Sequence, residues 1–146
     1  MPNGSERTTL LESIGFTVLG ELVDVGGVTP EKAWRSAINL AVKPDVAVDS
    51  AGEEALSRAE AAWRTYGSEI GLFAADGSFC ISVSGPGAFT LPWVLVRGAQ
   101  SSGFLTAMSA RSGRTDFVAI SPDGAPVMAL TEEEHEYWLV EVDLLD

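Results

Sequence analysis

The stretch DFVAISPDGAPVMAL, from Asp116 to Leu130, decides the fold. Pro122 presets the backbone for a tight turn, and Gly124 tolerates the positive φ on which such a turn ends. Phe117, Val118 and Ile120 precede the turn and Val127, Met128 and Leu130 follow it, so two short apolar runs are closely joined. Tight joining predicts an antiparallel hairpin, because parallel strands need a crossover of roughly a dozen residues or more.

Working upstream, IGLFAADGSFCISVSG, residues 70–85, carries the same device and reads as two strands around Asp76-Gly77. LPWVLVRG (91–98) and GFLTAMSA (103–110) read as further strands separated by a Gly/Ser turn, and SGRT (112–115) as another turn. The flanks of the two Asp-Gly turns share little else, so no internal repeat is inferred.

In the N-terminal half the apolar period changes from 2 to 3.6. VTPEKAWRSAINLAVKP has Thr29 as N-cap, Pro30 at the first helical position and Pro44 as terminator, which predicts a helix near 30–42. Its stripe is Ala33, Trp34, Ala37, Ile38 and Ala41. DSAGEEALSRAEAAWRTYG predicts a second helix near 51–66, with a Ser50 to Glu53 capping box and Gly67 as its stop. Ala55, Leu56, Ala59, Ala62, Trp63 and Tyr66 form its apolar face, and Glu53, Arg58, Glu60 and Arg64 its solvated one. TTLLESIG (8–15) makes a short helix and FTVLGELVDV (16–25) a strand, after a frayed segment 1–7.

These elements predict an α+β fold. About five or six antiparallel strands, mostly in the C-terminal half, pack one face against two or three helices from the N-terminal half. With 146 residues, 46% of them apolar and 21% charged, the chain fits a single domain spanning 1–146.

Charge restricts the partners. The net charge is −12, and nine carboxylates lie between Asp116 and Asp146 with no lysine or arginine after Arg114. Such a field repels phosphate backbones and anionic lipid, so neither nucleic acid nor membrane is expected, whereas a basic protein partner would be attracted. MPNGSERTTLLESIGF has no basic flank ahead of an apolar core, and no run approaches the ~18 apolar residues of a membrane span, which predicts a cytoplasmic protein. Homo-oligomerisation is left open.

No motif for chemistry stands out. Gly85-Pro86-Gly87 lacks the spacing and the following helix of a phosphate loop and reads as a strand-ending turn. One cysteine, Cys80, excludes an internal disulfide, and one cysteine with one histidine cannot close a usual zinc site. Neither Cys80 nor any serine lies in a nucleophile motif, and no carboxylate pair is marked out. No catalytic residue, metal or cofactor is therefore assigned.

The stretch TEEEHEYWLVEVD, Thr131 to Asp143, holds the one histidine among glutamates. Thr131 followed by Glu134 is a capping-box spacing, and acidic residues suit a helix start, so a helical first turn is expected there, followed by a half-exposed strand from WLVEVDLL. Acidic surface beside large aromatics is the mixture found at protein interfaces. The candidate binding residues are Trp93, Glu132, Glu133, Glu134, His135, Glu136, Tyr137 and Trp138, with core packing as the competing role for the two tryptophans. The functional expectation is a non-enzymatic acidic domain that engages a basic protein, in the manner of an inhibitor, an immunity protein or a chaperone. The alternative is a small-molecule-binding domain, or a cofactor-free small enzyme, with a pocket between sheet and helices.

Overall fold

A computed structural model describes residues 3–38, 43–85, 87–98, 103–142 and 144, with side chains from Glu6 onward. The elements run α1 (Asn3–Ser13), β1 (Thr17–Leu22), α2 (Pro30–Ala37), β2 (Val46–Asp49), α3 (Ala55–Ile70), β3 (Ser78–Val83), β4 (Trp93–Arg97), α4 (Phe104–Ser112), β5 (Phe117–Ile120), β6 (Val127–Glu132) and β7 (Glu136–Glu141). One antiparallel sheet takes the order β1-β4-β3-β5-β6-β7-β2. The class is α+β, with seven strands where about five or six were expected.

The Pro122-Asp123-Gly124 hairpin is present, with Phe117 opposite Leu130 and Ile120 opposite Val127. Asp76-Gly77 turns the chain but does not join two strands. Ile70 continues the Trp63 and Tyr66 stripe and ends α3, and Gly71, left-handed at φ 81°, stops the helix where Gly67 was expected to. Gly67 serves a different purpose: a Cβ there would come within 3.0 Å of the Phe73 ring, so its absence lets that ring pack on the helix. α2 begins at Pro30 with the Thr29 hydroxyl accepting from the Lys32 N–H; positions 39–42 of that expected helix lie outside the described residues. Helix α1 starts at Asn3, within the segment expected to fray.

Both faces of the sheet are covered, not one. α1, α3 and α4 pack with Phe79, Ile81, Val94, Phe117 and Leu139 on the first face. α2 and the Val25–Val28 loop pack with Cys80, Trp93, Ile120, Ala129 and Val140 on the second. This explains why β3 and β5 are buried at every position, as expected of strands enclosed on both sides. Trp63 is the hub of the first core: its ring lies 5.2 to 5.4 Å from those of Phe73, Phe79, Phe104 and Phe117 in edge-to-face arrangements. On the second face the Trp34 indole donates to Ser82 Oγ at 2.8 Å, and the Trp93 indole to the Val28 carbonyl at 2.8 Å. At the sheet edge, β1 shifts register between Val18 and Gly20, leaving Leu19 as the extra residue of a bulge.

GFLTAMSA was expected to be a strand and is helix α4. The reason lies on α3, where Glu60 was assigned to the solvated face but is 2% exposed. Its carboxylate accepts from the Gly103 N–H at 2.8 Å and the Leu105 N–H at 3.0 Å, two of the donors that a helix start leaves free. Negative charge also suits that end of the helix dipole. Arg64, one turn along α3, completes the cluster at 3.3 Å from Glu60.

Two outcomes check this architecture. Glu60→Ala leaves two donors bare and should lower stability by about 2–4 kcal/mol in urea denaturation, while Glu60→Gln, which keeps one acceptor oxygen, should lower it by about 1–2 kcal/mol. Cys80 is fully enclosed and burial pushes its thiol up to about 11. Iodoacetamide at neutral pH should therefore leave it unmodified until denaturant is added.

Candidate functional site

The glutamate-rich stretch is a hairpin tip, not a helix start. β6 runs to Glu132 and β7 starts at Glu136, with Thr131 opposite Trp138 and Glu132 opposite Tyr137. The Glu133 N–H donates to the Glu136 carbonyl at 2.7 Å, closing the link. The Thr131 hydroxyl, expected to cap a helix, donates to the Glu133 carboxylate at 2.9 Å. Apolar runs on both sides, VMAL and WLV, gain more by pairing than one turn of helix gains from its cap.

Pairing gathers further carboxylates here. Asp116 accepts from the Glu132 N–H at 2.8 Å, and Thr115 donates to the Glu132 carboxylate at 3.2 Å. On the other side Asp49 lies opposite Glu136, and the Ser50 N–H donates to the His135 carbonyl at 3.0 Å. Asp49, Asp116, Glu132, Glu133, Glu134 and Glu136 thus share one end of the sheet. His135 Nε2 lies 3.5 Å from a Glu134 carboxylate oxygen, both side chains largely in solvent, a contact that is an ion pair only when the imidazole is protonated. Burial, then the nearby charges of Glu132 and Glu133, hold the Asp116 carboxyl above its ordinary range, against the hydrogen bond from the Glu132 amide. Burial, then Glu132 and Asp116, likewise raise the Tyr137 hydroxyl. Arg114 borders the cluster from the α4–β5 turn.

The aromatic candidates separate. Trp93 is wholly buried with its indole N–H satisfied, so it belongs to no surface. Tyr137 is 7% exposed and packs in the first core, so only its neighbour meets solvent. Trp138 projects to the second face, half-buried, and donates to Glu136 at 3.0 Å. Glu132, Glu133, Glu134 and His135 are exposed. Asp49 and Asp116 were missed because they join the cluster through strand register, which no local pattern announces.

Hollows elsewhere on the molecule also offer room for a ligand, one of them, of about 330 Å³, beside Trp63, Arg64 and Arg97. An open, mainly apolar hollow of about 430 Å³ lies along Ser84, Gly85 and residues 87–90, where the exposed Phe89 ring stacks 6.5 Å from Trp34 and the Arg35 guanidinium sits 5.9 Å from the Phe89 centroid. A cleft of about 250 Å³ opens between α1, α4 and the end of β3. Among the described residues no group of three or more His, Cys, Asp and Glu side chains is placed to hold a metal ion, and no helix is long and apolar enough to cross a membrane. No protein-family model matches this chain, and neither the curated proteins nor the solved structures contain a significant match to it.

Proposed function

We propose that this chain is a non-enzymatic, cytoplasmic protein-binding domain whose β6–β7 end docks a basic protein partner. The observation that carries the reading is the concentration of Asp49, Asp116, Glu132, Glu133, Glu134 and Glu136 at one end of the sheet, with Arg114 bringing a basic side chain to its border and His135 exposed beside Glu134. Like charges held together repel one another, and a ligand that supplies cations relieves that repulsion. Trp138, half-buried beside Glu136, supplies an aromatic contact at the border. The same field disfavours nucleic acid, anionic membrane and self-association through this end.

The second reading, a small-molecule-binding domain, draws its support from the cleft between sheet and helices, which arginines line.

Association kinetics with the partner captured from the native host test the first reading. Replacing Glu132, Glu133, Glu134 and Glu136 by Gln should slow association roughly tenfold or more at low salt, with a smaller change in dissociation. Added salt should slow the wild type more than the variant, and Trp138→Ala should instead speed dissociation. An association rate indifferent to both salt and the four glutamates overturns the steering role.

A pH experiment addresses the cluster without a partner. The Asp116 carboxyl titrates higher in the fold than in the unfolded chain, so the folded state binds the extra proton and stability falls as pH rises through that window. Asp116→Asn keeps an oxygen to accept from the Glu132 amide and removes this loss. Its stability relative to wild type should therefore increase as pH is raised from 3 to 7, read by urea denaturation at each pH.

A further inference from the structure

We infer that the cleft between α1, α4 and the end of β3 is an anion site that takes a phosphate group. The inference is independent of the basic-partner reading, since it concerns other residues and the opposite charge. Its central observation is Arg7 on α1, whose side chain is 8% exposed and lines the cleft. None of its three guanidinium nitrogens has a hydrogen-bond partner. The nearest carboxylate, Glu21, stands 3.8 Å away, beyond hydrogen-bonding reach. A buried guanidinium in that state is destabilising, because the donors gave up water and gained no acceptor. Burial accordingly lowers its proton affinity, with Glu21 offsetting part of the effect.

Two more arginines line the same cleft from the far side. Arg111 belongs to the last turn of α4, and Arg114 follows it after the left-handed Gly113. Arg114 lies over Gly85: a Cβ placed at that glycine would stand 3.5 Å from Nη1, an ordinary contact distance, so the guanidinium rests against this part of the cleft wall. Val83 and Ser84 complete the wall, and Glu6 is the one carboxylate on its rim. Three cations stand against Glu6 on the rim and Glu21 beside Arg7, which leaves the site locally positive in a chain of net charge −12. Several guanidinium forks suit a phosphate better than a carboxylate, because phosphate offers a larger charge and more acceptor oxygens. The volume of about 250 Å³ suits a phosphate or a small phosphomonoester, not a nucleic acid strand.

Thermal melting of the full chain at fixed ionic strength tests the site, with inorganic phosphate, glycerol 3-phosphate and acetate as probes. A phosphate probe at about tenfold its Kd should raise Tm by roughly 3–6 °C, and acetate should not. A larger rise with glycerol 3-phosphate than with phosphate at equal concentration identifies a phosphomonoester as the ligand; an equal rise identifies free phosphate. Arg111 and Arg114 are exposed, so the double variant Arg111→Gln/Arg114→Gln should fold as wild type and lose the rise. Arg7→Met should also lose it while keeping or raising the ligand-free Tm, since the variant removes a buried guanidinium whose donors have no hydrogen-bond partner and whose one nearby carboxylate, Glu21, stands 3.8 Å away. Absence of a rise, an equal rise with acetate, or a rise retained in these variants overturns the proposal.

Discussion

The architecture depends on one buried carboxylate. Glu60 projects from α3 into the start of α4 and satisfies amides of Gly103 and Leu105, more than forty residues further along the chain. Burying a lone carboxylate is expensive, and what makes it tolerable here is the set of donors that a helix start must satisfy somehow. Each side thus removes the other's penalty. With α4 fixed in this way, Phe104 closes the ring cluster around Trp63, and the far end of the same helix presents Arg111 to the cleft beside α1. A single contact between helices therefore bears on both the core and a candidate ligand site.

The alternation of a strand, combined with helices on both faces, sorts the remaining side chains. Tyr137 and Trp138 are adjacent in sequence and enter opposite cores. The strand ends that carry Glu132, Glu136, Asp49 and Val83 all lie at one end of the antiparallel sheet, so the acidic tip and the arginine cleft are neighbours. Arg114 borders both. That end of the molecule is consequently polarised, negative along β6, β7 and β2 and positive beside α1 and α4. An incoming molecule meets two fields of opposite sign within a short distance, which fixes its orientation as well as its approach.

What could be read from the sequence was what local chemistry determines. Thr29-Pro30 starts α2, Trp34 and Trp63 mark buried helix faces, and Pro122-Asp123-Gly124 forces the β5–β6 turn; each needs only its own neighbours. GFLTAMSA was illegible because its decisive partner, Glu60, is distant in the chain and resembled an ordinary exposed helix residue. Thr131 to Glu134 misled because the same spacing serves a helix cap and a hairpin link; the apolar runs flanking it carried the better signal. The acidic character of the candidate surface was visible, yet Asp49 and Asp116 reach it by register alone. Arg7, Arg111 and Arg114 had no common motif, since α1 and the end of α4 with its following turn are distant in the chain and meet only in the fold.

The bulge in β1 bears on how molecules of this protein meet one another. An open sheet ends in strands with unused backbone donors and acceptors, and a flat apolar edge invites a second copy to add itself. Here the outer strand exposes Leu19 and Leu22, with Val23 just beyond, which is the composition that fibre growth favours. The extra residue at Leu19 breaks the repeat of the edge, and a bulge of this kind disfavours the addition of a regular strand. The edge strand thus carries exposed apolar side chains on a backbone whose regular repeat is broken at Leu19.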